Sequence, residues 1–276
     1  MHAGIFMGKS ALGNVQVDQF IRDGFLRIDR AFSRKLAEEC CSLLWHQIPC
    51  DRNDPVTWLN PVIRIPLCHG EPFDRVTDTP VLHEAFDLLV GTGRWSVRQG
   101  LGSFIVRFPR AEDPLDPPVR WHVDASFPGE SSDPNEQHDY SAWRANVTSR
   151  GRALLLLLLF SDVGVNDAPT KIRVGSHPEV TRLLEPAGEQ GIADADLILD
   201  NIGADRPVAL ATGAAGTAYL CHPFLIHAGQ RNCGSKPRII AQPPLELQEP
   251  YELHRENGNY SPVEMSIRRA LGRSFG

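Results

Sequence analysis

Long apolar runs are missing from this chain. The longest, Ala153 to Phe160, has eight residues, against the ~20 that a membrane-spanning helix needs. No membrane partner is expected. Cysteine is scarce as well. The six are Cys40, Cys41, Cys50, Cys68, Cys221 and Cys233, with no Cys-x-x-Cys pair among them. That argues against a paired-thiolate metal or redox motif and for free thiols in a reducing compartment. An apolar signal-peptide core is also lacking near the first residue, so the expected location is cytoplasmic. Basic charge is in deficit: 28 Lys and Arg stand against 34 Asp and Glu, a net charge of −6. The cations are spread along the chain, which gives no reason to expect nucleic acid. No G-X-Y period, repeat or linker is visible.

Glycine and proline are plentiful, 23 and 22 respectively. Without periodicity, this excess points to many turns and short strands. Ten histidines make imidazole the natural ligand if a metal is bound. A single domain over residues 1–276 is within the range of β-rich folds.

Helices come first. A helix ends at Gly24, the usual stop signal, and Phe25, Leu26 and Ile28 begin a strand. Ser33 can cap a helix through Trp45, with Leu36, Cys40, Leu43 and Leu44 at helical spacing. A third helix runs from Thr79 to Val90, with Pro80 in its first turn. Short strands then dominate: Ser103 to Phe108, Ala153 to Phe160, Thr170 to Val174, Pro207 to Leu210, Gly216 to Leu220 and Arg238 to Gln242. One or two helices fit between Pro178 and Leu199, and another from Ser261 to Leu271. The order predicts a mainly β fold with flanking helices, a jelly roll or barrel. Its helical N-terminal layer spans about residues 15–95 and its core about residues 96–245. The polar stretch 127–149 reads as a long functional loop.

The chemistry gathers at Trp121-His122-Val123-Asp124. On an extended backbone His122 and Asp124 point to the same face. A second histidine would complete two nitrogens and one oxygen on one face of a metal, the facial arrangement of non-heme Fe(II) oxygenases. His177, His222 and His227 are candidates. His227 is the best placed, between a strand and a turn-rich loop that leads to Arg238. A hairpin of that length would bring Arg238 beside it, where a guanidinium can grip a carboxylate through two hydrogen bonds. His222 and His227 lie five apart and face opposite ways on one strand.

These pieces resemble the phytanoyl-CoA dioxygenase family of Fe(II)/2-oxoglutarate oxygenases. The resemblance runs from Asp23-Gly24-Phe25 through Phe104 to Pro109, Trp121 to Phe127, Ser161-Asp162 and Gly175-Ser176-His177, to His227 with Arg238 eleven residues later. It implies a double-stranded β-helix. It also implies His122, Asp124 and His227 as iron ligands and Arg238 as the anchor for the distal carboxylate of 2-oxoglutarate. Arg64, Ser103 and Leu157 are assigned to the cosubstrate pocket by the same resemblance. Leu157 falls where the family often has Trp, and Gly229 where it often has Ser. The implied reaction uses O2 to hydroxylate a C–H bond of a small organic substrate, releasing succinate and CO2. Related halogenases carry a small residue at the position of Asp124, so a carboxylate there implies hydroxylation, desaturation or ring chemistry.

The stretch 127–149 is expected to act as a lid. Trp143 and Arg144, with Arg150 and Arg152 nearby, are expected to face the substrate. Two rival classes share part of the pattern. A cupin-type isomerase or hydrolase would not need Arg238. A non-catalytic ligand-binding jelly roll would not need a full ligand set.

Overall fold

Gly24 adopts φ +82°, which stops the first helix and turns the chain into the first strand. The computed structural model describes residues 13–110, 120–129 and 142–273. Along the chain the elements are α1 (Asn14–Asp23), β1 (Phe25–Ile28), α2 (Arg34–Trp45), β2 (Val62–Cys68), α3 (Glu71–Thr77), α4 (Pro80–Val90), β3 (Trp95–Ser96) and β4 (Leu101–Arg107). There follow β5 (Arg144–Ala145), β6 (Leu154–Leu159), β7 (Thr170–Arg173), α5 (His177–Leu184), β8 (Ile192–Ala193), β9 (Val208–Ala211), β10 (Ala218–Cys221), β11 (His227–Ala228), β12 (Arg238–Ala241), β13 (Pro244–Leu247) and α6 (Pro262–Ala270).

The large sheet has the order β1-β10-β6-β12-β4-β2, with β13 pairing both β6 and β3. Every pairing in it is antiparallel. A smaller sheet, β11-β7-β9, faces it, and β5 pairs with β8. This is a jelly roll. Its layers are visible in β6, where six consecutive leucines are buried. Leu154, Leu156 and Leu158 join the core shared with the helices, while Leu155, Leu157 and Leu159 join the core between the two sheets. Burial on both faces explains why this strand does not alternate.

Local chemistry sets the helix ends. The Ser33 hydroxyl accepts from the Leu36 amide at 3.1 Å. Pro80 occupies the first turn of α4. Ser261 and Glu264 form a reciprocal capping box at α6. Helices α1, α4 and α5 all pack on α6 and cover the outer face of the large sheet.

Some elements differ from expectation. Between residues 178 and 199 there is one α-helix, α5, followed by 3-10 turns at Glu185–Gln190 and Asp194–Asp196. Strands β2 and β13 and helix α3 had no clear pattern in the sequence. The segment from β11 to β12 is not a hairpin. β11 pairs with β7 in the small sheet, whereas β12 pairs with β4 and β6 in the large one. The intervening residues therefore cross between sheets. Buried Asn232 pins this crossing, its side-chain amide donating to the carbonyls of Arg107 at 2.9 Å and Lys236 at 2.8 Å.

Candidate metal centre

His122 extends the small sheet by a single antiparallel bridge to His227. Each backbone amide donates to the other residue's carbonyl, at 3.0 and 2.9 Å. Directly opposed residues of an antiparallel pair project to one face. The two imidazoles therefore lie side by side, with ring centroids 4.3 Å apart. Asp124, two residues after His122, returns to the same face. Its Oδ1 is 3.7 Å from Nε2 of both histidines. The three ligand atoms lie within 4.8 Å of one another, and among the described residues no other cluster of three or more such side chains meets this test.

Each imidazole is oriented from behind. Nδ1 of His122 is 2.9 Å from the Arg120 carbonyl, and Nδ1 of His227 is 3.1 Å from the Leu225 carbonyl. A proton on Nδ1 in each ring leaves Nε2 as a lone-pair donor toward the shared centre. Burial, then the neighbouring His122, pushes His227 down to about 4. It is neutral at physiological pH, the form that binds metals. For Asp124, burial acts to raise the pKa. Arg152, His227, His122 and Arg64 outweigh it and hold the carboxyl below its usual range.

Arg238 opens β12 opposite Arg107 on β4. Strand alternation with Ile240 and Ile105 turns both arginines toward the space between the sheets. Arg238 is 2% exposed, and its Nε and Nη1 have no hydrogen-bond partner among the described residues. Burial, then Arg107 and Arg64, lowers its pKa to about 9. A buried cation with unmet donors is costly unless an anion joins it. Arg64 lies on β2 opposite Ile105, exposed, and its charge acts on both Arg238 and Asp124.

The remaining expected residues take various positions. Leu157 is buried on the inner face of β6. Ser103 is exposed in β4 with φ +54°. The residues 130–141 of the expected lid lie outside those described. The two ends of that stretch are joined by a bridge between Phe127 and Arg144. Arg144 donates from Nε to the Gln190 carbonyl at 2.6 Å and from Nη2 to the Gly191 carbonyl at 2.8 Å. Its side chain thus ties the stretch to the loop before β8. The Trp143 carbonyl accepts from the Asp194 amide at 2.8 Å. A cleft of about 420 Å³ is lined by Phe127, Pro128, Arg144, Arg150, Glu189 and Gln190. Arg152 does not face this cleft. It is buried beside the metal motif, Nη1 3.2 Å from Asp124 Oδ2. The sequence carried no sign of that pairing.

His177 and His222 are not part of the centre. Both are fully buried, with ring centroids 4.6 Å apart. His177 starts α5, and His222 accepts from the Phe224 amide at 3.1 Å.

No family model matches the sequence, and no curated protein matches it. Solved structures do. HygX from Streptomyces hygroscopicus, with nickel, 2-oxoglutarate and hygromycin B bound, is 17% identical. The match covers 84% of this chain and 86% of that one, with a TM-score of 0.51. EctD from S. alaskensis, with 2-oxoglutarate and 5-hydroxyectoine, is 17% identical, covering 86% and 77%, with a TM-score of 0.53. The epimerase SnoN, in complex with Fe3+, alpha ketoglutarate and nogalamycin RO, is 16% identical, covering 83% and 80%, with a TM-score of 0.54. At these identities the shared property is the fold, a jelly roll that in these three proteins accommodates 2-oxoglutarate together with small organic molecules or a metal.

Proposed function

We propose that this protein is an Fe(II)- and 2-oxoglutarate-dependent oxygenase of the phytanoyl-CoA dioxygenase type, hydroxylating an unactivated C–H bond of a small organic molecule. The observation that carries the reading is a conjunction. Two Nε2 atoms and one carboxylate oxygen converge on the small sheet, and the unpartnered Arg238 is buried on the inner face of the large sheet. A metal site alone would suit many reactions. A buried arginine with unmet donors demands an anion as well, and a dicarboxylate cosubstrate supplies one.

The donor set suits iron. Two imidazoles and one carboxylate on one face leave the opposite positions open. His122, Asp124 and His227 would hold the ion. Arg238 would take the far carboxylate of 2-oxoglutarate in its planar fork. Arg64, Ser103 and Leu157 would border that pocket. When bound, iron supplies the activation of O2, with 2-oxoglutarate consumed to succinate and CO2. The protein's own part is to orient and to exclude water. The inner leucines of β6, with Ile105, Ile172 and Ile240, form the apolar core between the two sheets.

The substrate would approach past the stretch that follows Asp124, through the cleft beside Phe127, with Trp143 and Arg144 at its edge. Small-molecule ligands in HygX and EctD support a substrate of that size. Six free cysteines support a cytoplasmic location. No described helix is long and apolar enough to cross a membrane.

Uncoupled turnover tests the reading. Incubation with Fe(II), 2-oxoglutarate and O2 should release succinate, and Arg238→Ala should cut that release by at least about tenfold, the cost of one lost charge-assisted contact. A folded, iron-loaded wild type that makes no succinate refutes the proposal. Activity on a substrate without 2-oxoglutarate would instead favour a cupin-type isomerase or hydrolase.

A further inference from the structure

The two oxygens of Asp124 have different surroundings. Oδ1 faces the two Nε2 atoms at 3.7 Å, while Oδ2 faces Nη1 of Arg152 at 3.2 Å. The guanidinium is held elsewhere too, with Nη2 donating to the Ala125 carbonyl at 3.1 Å. Arg152 therefore spans the metal motif, touching both the ligand and the backbone just after it.

Arg152 is delivered by an unusual turn. Ser149 and Gly151 both have positive φ, 49° and 82°. The Ser149 hydroxyl donates to the Arg152 carbonyl at 2.7 Å, and the Arg152 amide donates to the Ser149 carbonyl at 3.1 Å. The Asn146 side chain accepts from the Arg150 amide at 3.0 Å. A Cβ on Gly151 would lie 2.7 Å from the Ser126 carbonyl oxygen, so only glycine lets the turn press this close to the motif. A serine held fully buried in the left-handed region is strain that surrounding structure must maintain, and such strain gathers at functional sites.

We infer that Arg152 is a positioning residue that keeps Asp124 a one-oxygen metal ligand. Its ion pair holds Oδ2 toward the guanidinium and so opposes chelation of the metal through both oxygens. The consequence is a count of coordination positions. Two imidazoles and one oxygen leave three positions of an octahedron free. Two would take 2-oxoglutarate, and one would remain. A chelating carboxylate would use that last position. The inference rests on the iron and 2-oxoglutarate reading above.

Nitric oxide, which binds only where a position on Fe(II) is free, reads this out without turnover. Anaerobic Fe(II) and 2-oxoglutarate are added to the full chain, then nitric oxide, and the paramagnetic nitrosyl signal is quantified per bound iron. Wild type should give a signal close to one per iron. Arg152→Gln should bind iron as well as wild type but give at least a fivefold smaller signal, and Arg152→Lys, which keeps the charge, should recover most of it. Gly151→Ala keeps the guanidinium in the sequence but shifts the turn that presents it to Asp124, and should also lower the signal. It decides the matter if Arg152→Gln does not fold. A full signal in Arg152→Gln, or in Gly151→Ala where the former cannot be prepared, overturns the positioning role and leaves the iron reading intact. A wild type that binds iron and 2-oxoglutarate yet gives no nitrosyl overturns the position count and the inference with it. A wild type that binds no iron overturns both readings.

Discussion

Arg238→Met separates function from stability in a way few substitutions can. Arg238 is buried with two unmet donors, and burial, followed by Arg107 and Arg64, lowers its pKa to about 9. The protonated side chain therefore weakens the folded state at neutral pH. Both folded and unfolded forms are protonated there, so the full penalty applies. Methionine has similar length, no charge and no donors. Replacing buried ionic groups by apolar ones of similar volume stabilises proteins by about 1–4 kcal/mol. A gain of about 2 kcal/mol raises Tm by roughly 4–8 °C in a chain of this size. The ligand response should move oppositely. With a divalent metal present, 2-oxoglutarate at a hundred times its Kd should stabilise wild type by about 2.7 kcal/mol, and the variant hardly at all. Differential scanning fluorimetry with Mn(II), with and without 2-oxoglutarate, measures both. The reasoning fails if the ligand-free variant melts below wild type, or if 2-oxoglutarate still stabilises it fully.

Three further outcomes are expected. His177 is fully buried and its pKa is pushed down to about 4, chiefly by burial. Above the unfolded value near 6.5 both states are neutral. Below it the unfolded chain takes up a proton that the folded chain refuses, so stability should fall by about 1.4 kcal/mol per pH unit until pH 4. Urea denaturation at pH 7 and pH 5 should show a shallower loss in His177→Gln, and an unchanged slope would remove His177 as the cause. Arg144→Ala should lower stability by about 1–3 kcal/mol, because two loop carbonyls lose their donor, while metal affinity measured by calorimetry stays within about twofold. A large loss of metal would show that the stretch after Asp124 shapes the ligand set. Leu156→Ala, deep in β6, should cost about 2–5 kcal/mol by denaturant titration, and a loss under 1 kcal/mol would contradict the layer assignment.

Much of the site could be read from the chain because its logic is local. His122 and Asp124 share a face through a two-residue period. Gly24, Ser33, Pro80 and Ser261 mark helix ends by their own backbone or hydroxyl chemistry. The leucine run has strand length and turn-forming flanks. What remained hidden depends on contacts between distant segments. Strand β2 contains Pro66 and alternates poorly because it lies at a sheet edge, so its pattern is weak. The β11 to β12 segment has the length of a hairpin, and only pairing partners elsewhere reveal that it changes sheets. From the sequence alone Arg152 is expected, with Arg150, to face the substrate from the end of the polar stretch. Its meeting with Asp124 needs the folded turn at Gly151, which no spacing encodes. The lateral bridge that joins His122 to His227 is likewise a property of the assembled sheet, although both residues were already singled out.

The central claim is that this centre binds iron and 2-oxoglutarate together. Anaerobic addition of Fe(II) and then 2-oxoglutarate, followed by visible absorption, tests it directly, since chelation by the keto acid produces a weak metal-to-ligand charge-transfer band. Wild type should develop the band, His122→Ala should not, and Arg238→Met should need far more 2-oxoglutarate to reach it. Absence of the band in folded, iron-loaded wild type, or its persistence in His122→Ala, would contradict the account.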